Sequence, residues 1–209
     1  MDELNAIDLE ELADIVADKV KEAGKSSFDD IVNVTSAINR EIIISDISFG
    51  LGSSVDAYIR YWNKQDKGIP VEERKPIKLY IDSCGGSLSD SFTIIDSIKM
   101  SETPVFGICN GCAYSGGFFI FIACDHRIAY PHSSFLFHEG ATGTQGTSGQ
   151  FENYTAFYKK QLDQLKQIVI DNTNITEEEY KTIKREDIWY DAQEALDKGI
   201  VDVISEVLV

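Results

Sequence analysis

The chain has 209 residues, of which 43% are hydrophobic and 26% charged, the balance of a globular domain with one sizeable core. Its 35 acidic and 19 basic residues give a net charge of −16, which excludes the cationic footprint that nucleic acid or an anionic membrane surface requires as a main partner. Four cysteines (Cys84, Cys109, Cys112, Cys124) do not make a disulfide scaffold in a chain of this length.

Residues 1–24 read as an acidic amphipathic helix. Leu9, Leu12, Val16 and Val20 recur at i, i+3 or i+4, and Gly24 stands where a helix stops. The acidic opening Met1–Glu11 lacks the basic start and apolar run of a secretory signal. The longest apolar stretch, Gly116–Cys124, is far short of the ~20 residues that cross a bilayer. A cytoplasmic location without a membrane partner is therefore expected. Residues 25–40 have no clear period and read as a linker, which divides the chain into a front segment 1–39 and a main domain 40–209.

Strands and helices then alternate. Glu41–Ser45 is a short β-branched strand, and Ser54–Gln65 a helix. Pro76–Ser83 is a second strand, ending in Gly85-Gly86. Leu88–Ser101 has helical spacing, with Phe92, Ile95 and Ile98 on one side. Pro104–Asn110 is a third strand that turns at Gly111, and the apolar segment Ser115–Cys124 reads as a buried helix. Strands follow at Arg127–Tyr130 and Ser134–His138. Gly140–Gly149, rich in Gly and Thr, is either a loop or a glycine-loosened strand. Phe151–Asn172 is a long helix with a charged outer face, and Thr176 to Glu179 fits a capping box that opens another. Asp191 caps a last short helix ending at Gly199, ahead of a strand Ile200–Ile204. This alternation predicts an α/β fold with a mainly parallel sheet and helical crossovers.

Ser115 is the residue with the most chemistry in its surroundings. At a helix start, the backbone N–H of Gly116 has no intrahelical partner and can bind a developing oxyanion, aided by the helix dipole. Gly116 and Gly117 let a substrate backbone approach closely. The alternative is that Ser115 is a plain helix N-cap, a position serine favours. Gly85-Gly86, at the carboxyl edge of a parallel strand, is placed to give a second donor. Of the three histidines, His138 ends an apolar strand beside the Gly/Thr segment, whereas His126 and His132 lie in polar connections. An imidazole titrates near pH ~6.5 and suits a general base.

Four stretches carry a resemblance: YIDSCGGS (80–87), GCAYSGGFF (111–119), FLFHEGATGTQG (135–146) and AQEALDKGIVD (192–202). From Arg40 to Ile204 the chain resembles the proteolytic subunit of the Clp protease (ClpP). The resemblance implies the ClpP/crotonase-like α/β fold of repeated ββα units, here preceded by the extra N-terminal acidic helix. It also implies an ATP-dependent Clp-type serine endopeptidase with no metal or other cofactor. By that resemblance Ser115 is the nucleophile, His138 the base and Asp187 the orienting acid, and the backbone N–H groups of Gly86 and Gly116 form the oxyanion hole. It further implies protein or peptide substrates and a self-compartmentalising homo-oligomer of stacked heptameric rings.

The sequence departs from the family pattern at several places. Cys84 stands where the family usually has proline before Gly-Gly, and Glu139-Gly140 stands where a proline usually follows the residue after the histidine. Glu186, with Arg185 before it, occupies the position of an arginine that pairs across the ring junction. The basic segment that contacts an AAA+ unfoldase in the family is not recognisable in residues 1–39, which counts against a standard unfoldase partner. A phage- or mobile-element-type member fits such a front end. Cys109-x-x-Cys112, with Cys124 and His126, has metal-ligand spacing, but its apolar setting favours core packing. Three rivals remain: a ClpP-like subunit without activity that serves assembly, a crotonase-like acyl-CoA enzyme, and a Ser-Lys signal-peptidase relative. No lysine lies on a segment that matches the last.

Overall fold

The computed structural model describes residues 35–184 and 186–209, and Ile43–Val209 forms one compact unit. The helix expected over 1–24 lies outside the described residues, as does most of the expected linker, although residues 35–39 are helical rather than irregular.

Strand β1 (Glu41–Ile47) leads through Gly50, whose φ is +95°, into helix α1 (Leu51–Gln65). The helix starts three residues before the expected Ser54. It buries Gly52, Val55, Ile59 and Trp62, one stripe at helical spacing. Strand β2 (Ile77–Gly86) buries Ile77, Leu79, Ile81 and Ser83 in strict alternation and continues through Gly85-Gly86 instead of ending at Ser83. Helix α2 (Leu88–Lys99) has Ser87 as its N-cap and turns Ile94, Ile95 and Ile98 to the core, while Phe92, expected on that face, is only half-buried.

Strand β3 (Val105–Tyr114) is the backbone of the site. It does not turn at Gly111 as expected but runs ten residues, directly into helix α3 (Gly116–Ala123). All eight residues of α3 are buried, as expected of a helix apolar on every side. The remaining elements are β4 (His126–Ala129), β5 (Ser134–Phe137), α4 (Ser148–Asn172), α5 (Glu177–Ile183), β6 (Ile188–Asp191), α6 (Ala192–Asp197) and β7 (Val203–Ile204). Thr147 and Gln150 form a full capping box that starts α4 at Ser148, so the Gly/Thr segment before it is loop. At α5 only half of the expected box is made. Thr176 accepts from the Glu179 N–H, but the Glu179 carboxylate binds Lys198 at 2.6 Å instead. Asp191 and Glu194 make the box that opens α6. The last strand is shorter than expected, because Ile200 and Val201 are buried with both N–H groups on the Ala195 carbonyl.

The sheet order is β1-β2-β3-β4-β7, with β5 pairing with β3 and β6 with β5. The β2/β3, β3/β4, β3/β5 and β4/β7 pairs are parallel, as the α/β alternation predicted, and β5/β6 is antiparallel. The first half of β3 pairs with β4 (Phe106–Cys109) and its second half with β5 (Cys112–Tyr114). The β2/β3 register slips between Ile81↔Cys109 and Ser83↔Ala113, a bulge that bends β3 toward β5. That bend delivers the end of β3 beside the ends of β2 and β5.

Candidate active site

Because β3 enters α3 without a loop, the chain must reverse within one residue, and that residue is Ser115. Its φ of +53° and ψ of −118° lie in a region that L-residues rarely occupy, at a cost of about 1–3 kcal/mol. Its N–H donates to the Leu136 carbonyl at 3.0 Å, which ties the turn to β5. Its hydroxyl makes no capping hydrogen bond to α3, so the plain N-cap alternative does not describe this serine.

The glycines around it are fixed by close approach. A Cβ on Gly85 (φ +98°) would sit 2.8 Å from Ser115 Cβ and 3.0 Å from the Gly116 nitrogen. A Cβ on Gly86 (φ +146°) would meet the Ile47 carbonyl. The position a Cβ would take on Gly116 is 3.6 Å from the Gly86 nitrogen. The ends of β2 and β3 therefore bring the Gly86 and Gly116 backbones to neighbouring positions next to Ser115.

His138 follows β5 directly, and Asp187 directly precedes β6. The antiparallel register Phe137↔Ile188 makes these two residues the next pair along the ladder. Their side chains meet: His138 Nδ1 lies 3.4 Å from Asp187 Oδ1, with the imidazole 28% and the carboxylate 67% exposed. Ser115, Gly86, Gly116 and His138 all line one cleft of about 440 Å³, together with Phe119, Leu165, Tyr154 and Tyr158. Asp187 does not line it and stands behind His138. A larger groove of about 750 Å³ between α1 and α2 holds none of these groups.

His126 packs edge-on against Phe106 with its Nδ1 3.9 Å from Asp202, and His132 lines a separate pocket with Leu208. The Glu139 carbonyl, next to His138, accepts from the Tyr158 hydroxyl at 3.1 Å. Burial, with help from Glu139, pushes the Tyr158 hydroxyl above its usual range. Tyr154 and Tyr158 stack on one face of α4 and are site residues that the sequence reading passed over. Their i, i+4 spacing straight after the Gly/Thr loop was the available signal. Cys109 and Cys124 are buried, and burial raises Cys109 to about 11 and Cys124 further. Cys112 is pushed up to about 12 by burial first, then by Asp82 and the neighbouring Cys84. No group of three or more metal-ligating side chains is gathered among the described residues.

A mainly parallel α/β sheet with a serine at a strand-to-helix turn, lining one cleft with a histidine, is the layout of a peptidase-like α/β protein. The chain belongs to the Clp protease family, whose pattern matches residues 70–207. It is 28% identical over 172 residues to "ATP-dependent Clp protease proteolytic subunit 1" of Shouchella clausii, covering 81% of this chain and 86% of the relative. It is also 28% identical over 134 residues to "ATP-dependent Clp protease proteolytic subunit 2" of Treponema pallidum, covering 63% of this chain and 67% of the relative. The subunit 2 of Treponema denticola matches to the same extent. At the level of the family, the chain is a ClpP-like peptidase. Among the described residues no helix is long and apolar enough to cross a membrane.

Proposed function

We propose that this chain is a serine endopeptidase that hydrolyses peptide bonds through Ser115, His138 and Asp187. The observation that carries the reading is the convergence of Ser115, His138, Gly86 and Gly116 on one cleft, with Asp187 behind the histidine. Asp187 faces Nδ1 of His138, which leaves Nε2 for Ser115. Asp187 fixes that tautomer and stabilises the imidazolium without taking the proton.

His138 takes the Ser115 hydroxyl proton as Oγ attacks the substrate carbonyl. The oxyanion is bound by the Gly86 and Gly116 N–H groups, and the start of α3 adds its partial positive charge. His138 then gives the proton to the leaving amine. Water enters, loses a proton to His138 and releases the acyl group, which regenerates Ser115. The strained Ser115 backbone supports this role, since such conformations persist where the surrounding structure imposes them.

The reading extends to assembly. Peptidase domains 40–209 stack as two seven-membered rings with the clefts inside. The protein acts in the cytoplasm on protein or peptide substrates, and the missing basic segment in residues 1–39 counts against a standard AAA+ unfoldase as its partner. Steady-state hydrolysis of a fluorogenic peptide by wild type and Ser115→Ala tests the chemistry, and equal rates would overturn it. Mass photometry tests the assembly, and a population of monomers alone would contradict the rings.

A further inference from the structure

Both backbone donors of the cleft are packed against the first turn of α2, and one buried carboxylate organises that turn. Asp90 is 7% exposed. Its Oδ1 accepts from the N–H groups of Gly50 at 2.9 Å and Gly52 at 3.0 Å, some forty residues earlier in the chain. Its Oδ2 accepts from the Ser87 hydroxyl at 2.6 Å. The Ser87 N–H in turn donates to the Ile47 carbonyl at 2.7 Å. A closed circuit results, running Ile47, Gly50, Asp90, Ser87 and back to Ile47. Gly86 sits inside it, one residue before Ser87 and against the same Ile47 carbonyl.

The second donor rests on the same turn. Ser91 donates its hydroxyl to the Ser87 carbonyl at 2.9 Å, and its Oγ lies 2.5 Å from where a Cβ on Gly116 would be. Ile47 Cδ1 closes on that point from the other side at 3.0 Å. Ile47 and the Ser87–Ser91 turn thus touch Gly86 and Gly116 together. A helix cap alone would not need this. The capping bond, Asp90 N–H to Ser87 Oγ, is long at 3.3 Å, whereas the bonds to the Asp90 carboxylate are shorter, and those from Gly50 and Gly52 come from outside the helix. The Ser87 hydroxyl first, and then the Gly52 N–H, hold the Asp90 carboxyl below its usual range, so it is the ionised form that ties the circuit.

We propose that Asp90 is a positioning residue that sets the spacing of the Gly86 and Gly116 N–H groups through Ser87, Ile47 and Ser91. This inference rests on the serine-peptidase reading above. Oxyanion donors act on the transition state far more than on bound substrate, so their displacement lowers kcat and leaves KM nearly unchanged.

The experiment compares wild type, Asp90→Ala, Asp90→Asn and Ser87→Ala in full-length protein. Peptide hydrolysis (kcat and KM separately), fluorophosphonate labelling of Ser115 and thermal melting are measured. Asp90→Ala is expected to lower kcat roughly 10- to 100-fold, with KM within about twofold. Asn keeps an acceptor for Gly50 and Gly52, so Asp90→Asn recovers most of the rate. Ser87→Ala removes the Oδ2 arm and the long capping bond but leaves the Gly50 and Gly52 arms, and falls between them, which keeps the test intact should the alanine at 90 not fold. Wild-type kcat in Asp90→Ala or in Ser87→Ala, assayed well below the melting point, would overturn the inference while leaving the Ser115 reading in place. If wild type neither hydrolyses peptide nor labels, that reading fails and the inference goes with it.

Discussion

Gly85→Ala is the substitution on which the packing of the cleft makes its sharpest demand. At φ +98° a Cβ costs about 1–2 kcal/mol from backbone strain alone. The same atom would stand 2.8 Å from Ser115 Cβ, 2.9 Å from the Tyr114 carbonyl and 3.0 Å from the Gly116 nitrogen, where ordinary contact begins at 3.4 Å. Two of these three are rigid backbone, so the nucleophile turn must yield by several tenths of an ångström. Overpacking of this kind adds roughly 1–3 kcal/mol. Together these lower the melting temperature by roughly 5–20 °C for a chain of this size. Because the displaced atoms are the attacking serine and a donor, kcat should fall by about 100-fold or more. Gly68→Ala is the matched control. Its φ is +91°, and nothing lies within 4 Å of the new Cβ. It carries the strain without the collision, and should melt only about 2–8 °C lower with kcat unchanged. Peptide hydrolysis at 25 °C and differential scanning fluorimetry on the two variants decide the matter. A Gly85→Ala enzyme within threefold of wild type, or equal losses of kcat in both variants, would refute the reasoning.

Other outcomes follow from the same contacts. Asp187→Asn preserves shape but not the tautomer preference of His138, so kcat should drop by about 10²- to 10⁴-fold with little change in KM, and an unchanged kcat would count against Asp187. Arg127 joins the Asp202 carboxylate to the Asn172 and Gly199 carbonyls, clamping β4 to the ends of α4 and α6. Arg127→Ala should cost about 2–4 kcal/mol in urea unfolding while the peptidase rate at low temperature is kept. The folded pKa of Asp90 is depressed, so its contribution to stability is complete above the ordinary value of 3.8 and is lost as pH falls through the folded value. The gap in urea midpoint between wild type and Asp90→Asn should therefore narrow below pH 3.8, and a constant gap across that range would refute the assignment. Iodoacetamide at pH 8 should alkylate exposed Cys84 well before Cys112, Cys109 and Cys124, whose thiols burial holds protonated, as peptide mass mapping can check.

What the sequence made legible was local. The β2 alternation at Ile77, Leu79 and Ile81 and the all-apolar α3 read directly as strand and buried helix, and Asp191 caps α6 as expected. The errors arose where tertiary contacts override local signals. Gly111 looked like a turn, but it is a β3 residue whose missing Cβ leaves room for the Asp82 carboxylate, and the bulge there is set by pairing with two different strands. Thr176 and Glu179 had box spacing, yet Lys198 captured the glutamate. Within the site, Ser115 was distinguishable from a cap only once its φ and its uncapped hydroxyl were known. The meeting of His138 with Asp187 depends on the β5/β6 register, which no local pattern encodes. Asp90 was equally hidden, because a Ser-x-x-Asp spacing announces a helix start and says nothing of Gly50 and Gly52.

The account stands most directly on whether Ser115 is a live nucleophile. Full-length native protein is treated with a fluorophosphonate probe, and the adduct is mapped by peptide mass spectrometry in wild type, Ser115→Ala and His138→Ala. One adduct on Ser115 in wild type, absent from Ser115→Ala and formed far more slowly in His138→Ala, is the predicted result. No adduct in any assembly state, or an adduct on a different serine, would contradict it.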